Sequence, residues 1–263
     1  MKLVSFLNNI PTHSLGKPLK KCPAMEERMP KVTEEYIINK KKRITDAAYE
    51  LCLQKTVSTV TMQDIIDKTG FSQGGIYRFY KDIDEIFSDM IRQMRKRVSI
   101  KEKIDEILAL KDVLPPREIT DRLFRMLADF MERELMGIEK IDFELSVLAM
   151  NMPQRIAKIL GGLPEVGNME YLTMRTMEYF KEQTALGRIH PSVSAEELLA
   201  FISSAYGGIQ MTCIVNNCYQ HERNPLAALY QPRGLLQTLA QTVNHLIGVD
   251  GNDREEGKKE GHL

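Results

Sequence analysis

From Thr61 to Lys81 the chain runs TMQDIIDKTGFSQGGIYRFYK, and this segment carries two helix starts separated by one tight turn. Thr61 stands where an N-cap belongs, three residues before Asp64, and Met62, Ile65 and Ile66 supply a single apolar face. That spacing predicts a helix running to about Thr69. Gly70 is the residue type that enters the left-handed conformation ending a helix, Phe71 offers a plug for the core, and Ser72 offers a second cap. A further short helix is predicted from Gln73 to about Tyr80. At 100° per residue, Ile76, Phe79 and Tyr80 fall on one side of it, and Gly74, Tyr77, Arg78 and Lys81 fall on the other.

Two short helices joined in this way can set the second one in the major groove of DNA, which is wide enough for a single helix. One side then packs while the other faces phosphates and base edges. Gly74, with no side chain on the outer side, lets the backbone come close. Upstream, Tyr36, Ile37, Ile44, Ala47, Ala48, Leu51 and Cys52 recur at three-and-four spacing and predict a first helix from Glu35 to about Gln54. Residues 1–30 carry five turn-forming residues, Pro11, Gly16, Pro18, Pro23 and Pro30, and no usable period, and are expected to be a disordered extension.

Downstream, a long amphipathic segment is expected from about Ile83 to Leu110, closed by Pro115 and Pro116. Further helices are expected over Glu118 to Met136, Ile141 to Met150, Gln154 to Leu160, Glu165 to Leu186, Ser194 to Asn217 and Leu235 to Ile247, with a flexible tail over 248–263. The fold class is therefore all-α, with a three-helix unit over 31–82 and a helical unit over 83–247. The 36 basic and 36 acidic residues cancel across the chain, so composition alone does not argue for nucleic acid. The two ends differ, however: residues 1–100 hold 18 Lys and Arg against 12 Asp and Glu, leaving the acidic excess to the rear.

Over Ile44 to Phe87, and above all in Thr61-Met62-Gln63-Asp64-Ile65-Ile66 and Thr69 to Lys81, the chain resembles the TetR family of one-component repressors. Gly187-Arg188-Ile189-His190-Pro191 followed by Ser194 to Ala200 resembles the connection before that family's eighth helix. The resemblance implies that Gln73, Gly75, Tyr77, Arg78 and Phe79 meet bases or backbone, that Thr61 and Lys81 lie near phosphates, and that the rear half binds a ligand and dimerises. Gly74 joins this set through its outward face. Lys40, Lys41, Lys42 and Arg43 could add electrostatic contacts. Three features depart from the family pattern: Ile83 replaces a phosphate-binding Lys or Arg, Phe79 replaces His or Tyr, and no Gly lies between the first two helices. Phe79 suits either apolar contact with a thymine methyl or a structural role.

In the rear half, Met126, Phe130, Phe143, Met150, Tyr171, Met174, Met177, Tyr206 and Met211 are candidates to line a cavity for a small apolar or aromatic effector, although core packing explains any one of them as well. Gly207-Gly208, inside a helical pattern, points to close helix approach, a ligand against backbone, or tight dimer packing. By resemblance, the last two long helices would pair with their copies as a four-helix bundle in a homodimer on a near-palindromic double-stranded DNA operator. Cys22, Cys52, Cys213 and Cys218 show no CxxC spacing, and Cys213, Cys218 and His221 make a poor chelating set. No metal, cofactor or enzyme motif is expected. A short apolar start, Leu3 to Leu7, and no continuous run of about 18 apolar residues argue against export and a membrane partner, the cysteine usage fits a reducing cytoplasm, and the resemblance implies a bacterial protein, nucleoid-associated when bound. A helical small-molecule or partner-binding module without DNA activity is the alternative.

Overall fold

A computed structural model describes residues 33–163, 166–219 and 227–249. The expected extension over 1–30, most of the expected tail, Cys22 and His221 lie outside the described residues. Those described build helices α1 (Glu34–Gln54), α2 (Met62–Thr69), α3 (Gln73–Tyr77), α4 (Ile83–Arg97), α5 (Lys101–Leu108), α6 (Pro116–Glu134), α7 (Lys140–Asn151), α8 (Pro153–Leu160), α9 (Asn168–Ala185), α10 (Ala195–Ile214) and α11 (Pro232–Leu246). The fold is all-α, as expected.

The N-terminal three helices form for the reasons visible in the sequence. Thr33 caps α1 by accepting from the Tyr36 N–H, and Ile44, Ala47, Ala48, Leu51 and Cys52 form its buried stripe. The Thr61 hydroxyl accepts from the Asp64 N–H at 3.2 Å, and the Asp64 carboxylate accepts the Thr61 N–H at 2.8 Å, a complete capping box. Gly70 closes α2 at φ 67°, a left-handed conformation that glycine adopts without a Cβ penalty. Without a glycine between α1 and α2, the chain leaves α1 with Lys55 extended and makes one 3-10 turn, Val57–Thr59.

Two expectations about length are corrected. The segment from Ile83 to Leu110 is two helices, because the Asn168 side chain enters the break. Its amide donates to the Val98 carbonyl at 2.9 Å and its oxygen accepts the Ile100 N–H at 3.3 Å, replacing helical hydrogen bonds. The helix after the proline pair does not stop at Met136 but runs into a π-helical turn, Leu135–Glu139, kinked at Gly137 and continuing as α7. α6 packs along α11, and α10 lies against α11 and α9, so one apolar core extends from Ile44 on α1 to Ile247.

α10 and the π turn that follows it (Val215–Tyr219) make a helix long and apolar enough, by length and composition, to cross a bilayer. A continuous apolar run was not expected there, and Ser203, Ser204, Gln210 and Thr212 interrupt it in a simple count of apolar residues, although no charged residue does so between Leu198 and Cys218. Its inner face, with Leu198, Leu199, Tyr206, Cys213 and Ile214, is buried in the core.

Candidate functional site

α3 is anchored from inside. Ile76 is fully buried, and Tyr80 is buried with its hydroxyl donating to Asp89 at 2.6 Å. Asp89 also takes Arg92 and lies 3.9 Å from Lys41. Ser72 caps α3 by accepting the Gly75 N–H at 3.2 Å. With that anchor set, Gln73, Gly74, Tyr77, Arg78 and Lys81 are exposed on the outer side.

The remaining residues of this region divide by what they touch. A Cβ on Gly74 would meet nothing within 4 Å, whereas one on Gly75 would sit 3.1 Å from Ser72 Oγ. A side chain at Gly75 would therefore crowd its own cap. Phe79 is half-buried and packed on the core, and Ile83 opens α4 packed in the same way. Thr61 is exposed, with its hydroxyl committed to Asp64, whose carboxyl is held down at about 2, chiefly by Lys55. In the basic run, Lys40 and Arg43 lie over the Phe71 ring at 4.0 and 4.5 Å, so Phe71 is a half-buried platform rather than a fully enclosed plug. Lys42 pairs with Asp46 at 2.6 Å, and Lys41 lies over the Tyr80 ring.

Behind this unit lies a cavity of about 490 Å³, enclosed by α4, α6, α7, α8, α9 and α10. Its wall is largely apolar, with Phe124, Leu127, Phe130, Leu145, Phe180 and Tyr206 prominent. Of the nine side chains expected at a cavity, Phe130 and Tyr206 line it. Met126 lines a separate surface groove, Met150, Met174 and Met211 point largely to the exterior, and Phe143, Tyr171 and Met177 pack on the core beside the cavity. The last three fail to reach it because the lining stripes on their helices, Glu139-Asp142-Leu145-Ala149 and Met169-Leu172-Thr176-Phe180, lie one residue away in phase.

Sequence reasoning passed over the polar groups in this wall. Glu139 is 3% exposed and its Oε2 accepts from Gln210 at 2.6 Å and from the Tyr206 hydroxyl at 3.4 Å. Burial, reinforced by Asp142, pushes its carboxyl up to about 7 against the effect of the Gln210 hydrogen bond. Asp142 faces the hollow, reachable by solvent yet surrounded by protein, and that desolvation pushes it up to about 6 despite Arg95.

Two polar links run from this wall to the N-terminal helices. Lys140, buried beside Glu139, donates to the Cys52 carbonyl at 2.7 Å and to Glu144 at 2.7 Å, and Glu144 accepts the Val57 N–H at 2.6 Å. Tyr219 closes this cluster on Glu144. On α8, whose Ile156 and Leu160 line the cavity, Arg155 pairs with Asp84 at 2.8 Å and Lys158 with Asp82 at 2.6 Å, at the start of α4. Gly207 lines the cavity while Gly208, about 100° further round α10, is exposed. Cys213 is buried and donates to the Tyr230 carbonyl, and among the described residues no cluster of three or more metal-ligating side chains occurs.

The capped corner and two-faced α3 define a helix-turn-helix protein. The family profile described as "Bacterial regulatory proteins, tetR family" matches residues 44–90, which span α1 to the middle of α4. An uncharacterized HTH-type transcriptional regulator of Bacillus subtilis, YfiR, is 34% identical over 62 residues, 24% of this chain, and the chain spans only 30% of that relative's length. Among solved structures, a protein of Mesorhizobium loti described as a TetR-family transcriptional regulator superposes with a TM-score of 0.54 at 15% identity, over 80% of this chain and 96% of that one. Salmonella enterica GusR gives 0.51 at 15% identity, over 82% and 98%. At such identity these two likenesses speak for the fold. Residues 44–90 thus match the TetR-family helix-turn-helix profile, and the fold of the described residues is that of TetR-family structures.

Proposed function

We propose that this chain is a ligand-responsive transcriptional regulator, a repressor that binds a near-palindromic operator as a homodimer and lets go when a small molecule fills the cavity. Residues 31–82 form the DNA-binding unit and 83–247 the regulatory and dimerising unit. The observation that carries this reading is α3, held by buried Ile76 and Tyr80 while Gln73, Gly74, Tyr77, Arg78 and Lys81 stand clear on one face. Tyr77, Gln73 and Arg78 read base edges or backbone, Lys81 and Thr61 neighbour phosphates, and Lys42 and Arg43 add charge at the flank. Phe79 and Gly75 serve the packing of the unit.

One such helix reads only a few base pairs, so two copies are needed for useful specificity. The outer face of α10 supports the dimer. Phe201, Ser204, Gly208, Met211 and Val215 form an exposed stripe at three-and-four spacing, apolar and interrupted by small residues, which a second copy would cover. Switching follows if a ligand against α7 and α8 displaces the Lys140 and Arg155 links and so shifts the separation of the two α3 helices. DNA as partner places the protein in the cytoplasm. The test is titration of the full chain onto duplexes from the promoter nearest its gene. Two chains per inverted repeat and an affinity falling about 10³-fold or more between 50 and 200 mM salt are expected. Salt-independent or absent binding would leave a small-molecule module without DNA activity.

A further inference from the structure

Four charged side chains line the cavity: Arg95 on α4, Glu139 and Asp142 at the start of α7, and Glu170 on α9. Three of the four are acidic. The two from the α7 end lie one turn apart on the same stripe, below the apolar residues Leu145 and Ala149. Both hydrogen bonds to Glu139 reach its Oε2, leaving Oε1 with no partner among the described residues. The Asp142 carboxylate likewise takes no hydrogen bond among the described residues, and its nearest opposite charge is Arg95. Glu139 meets only neutral donors.

Resting on the proposed reading of this cavity as the effector site, we infer that its ligand is an organic cation, an amine or quaternary ammonium carried on an aromatic or alkyl body, with the charge held at Glu139 and Asp142. A carboxylate removed from water without a counter-charge is unfavourable, which is the position of Glu139; a ligand cation removes that penalty and adds attraction to Asp142, which faces the same hollow. The rest of the wall suits the body of such a molecule. Phe124, Phe130, Phe180 and Tyr206 supply aromatic surface to cover its apolar part, with ring faces being the part of such side chains that attracts a cation, and about 490 Å³ matches a drug-sized molecule. A bare metal ion does not suit this chamber, since two carboxylates in an apolar hollow supply too few oxygen ligands. Arg95 is the one basic side chain among the described residues lining the cavity, and an anionic ligand would have to enter against Glu139, Asp142 and Glu170 together. The pH response follows from Glu139 and Asp142, with Arg95 and Glu170 facing them across the cavity: a cation favours the ionised acids, so binding strengthens as pH rises through about 6 to 7.

The test uses three molecules of one skeleton, 4-phenylbutylamine, 4-phenylbutanol and 4-phenylbutyrate, added to the full chain, with binding read by calorimetry and by thermal shift. The amine is expected to bind at least tenfold more tightly than the carboxylate and more tightly than the alcohol. In the Glu139→Gln, Asp142→Asn double variant, its affinity should fall to that of the alcohol, whose own affinity stays unchanged. Binding of the amine that survives the double substitution, or a carboxylate that binds as well as the amine, overturns the cation assignment while leaving the cavity as an effector site. If none of the three binds, both the cation and the effector reading of the cavity fail. Duplex binding by the same preparation reports separately whether the DNA-binding reading stands.

Discussion

Replacing Lys140 with methionine keeps the length and apolar stem of the side chain and removes one charge from a buried cluster. Lys140 and Glu144 are each about 5% exposed and their charged atoms lie 2.7 Å apart. Lys140 also satisfies the carbonyl that ends α1, at Cys52. In the variant, the Glu144 carboxylate stays buried with only the Val57 N–H and the Tyr219 hydroxyl as partners. Breaking one side of a buried ion pair costs about 3–5 kcal/mol, because the remaining charge is uncompensated. For a protein of this size, that corresponds to a fall in Tm of roughly 6–20 °C. The assay is reversible denaturant unfolding of the wild type, Lys140→Met, Glu144→Leu and the double variant. The double should be less damaged than the two losses added together, with a coupling of about 1–3 kcal/mol. A loss under about 1 kcal/mol for Lys140→Met, or strict additivity, would refute the view that this pair fastens α7 to the end of α1.

Gly74→Ala adds a methyl to open space within α3, so stability should hold or rise by up to about 1 kcal/mol while duplex affinity drops. Gly75→Ala presses on Ser72 Oγ and should lose part of a cap worth about 1 kcal/mol; paired melts and anisotropy titrations separate the two. Glu139 ionises near 4.5 in the unfolded chain and near 7 in the folded one. Between those values the native state holds a proton that the unfolded chain has lost, so stability falls as pH rises, by at most about 3 kcal/mol, and is level above 7. Glu139→Gln should make that stretch of the pH–stability curve shallower, leaving the part below about 6 that Asp142 contributes, and parallel curves for the two proteins would contradict the assignment. Phe201→Glu, on the exposed face of α10, should turn a dimer into a folded monomer in sedimentation, whereas a wild type already monomeric at micromolar concentration would remove the proposed interface.

The corner from Thr61 to Tyr80 was legible because its signals are local. A capping threonine with Asp64, a glycine in the left-handed region and a serine cap each act within three or four residues, so spacing alone specifies them. The break at Val98–Ile100 was not legible, since it depends on Asn168, about seventy residues away in sequence. The cavity was legible only as a region. Its helices are covered on more than one side, so periodicity gives a buried stripe without saying which neighbour it faces. Choosing methionines and aromatics by type then missed the lining phase on α7 and α9 by one residue. Glu139 and Asp142 gave one usable signal, two acids three residues apart on a stripe continued by Leu145 and Ala149. In a chain with 36 acidic residues, that pattern does not stand out without the cavity around it.

The central claim is that α3 is the surface that reads DNA, and Tyr77 tests it most directly. Tyr77 is 45% exposed with Ile76 buried beneath it, so Tyr77→Ala should leave stability within about 0.5 kcal/mol of wild type. Measured by anisotropy on the duplex that the wild type selects, at fixed salt, the variant should bind at least tenfold more weakly. A folded Tyr77→Ala protein that binds this duplex as the wild type does would contradict the account.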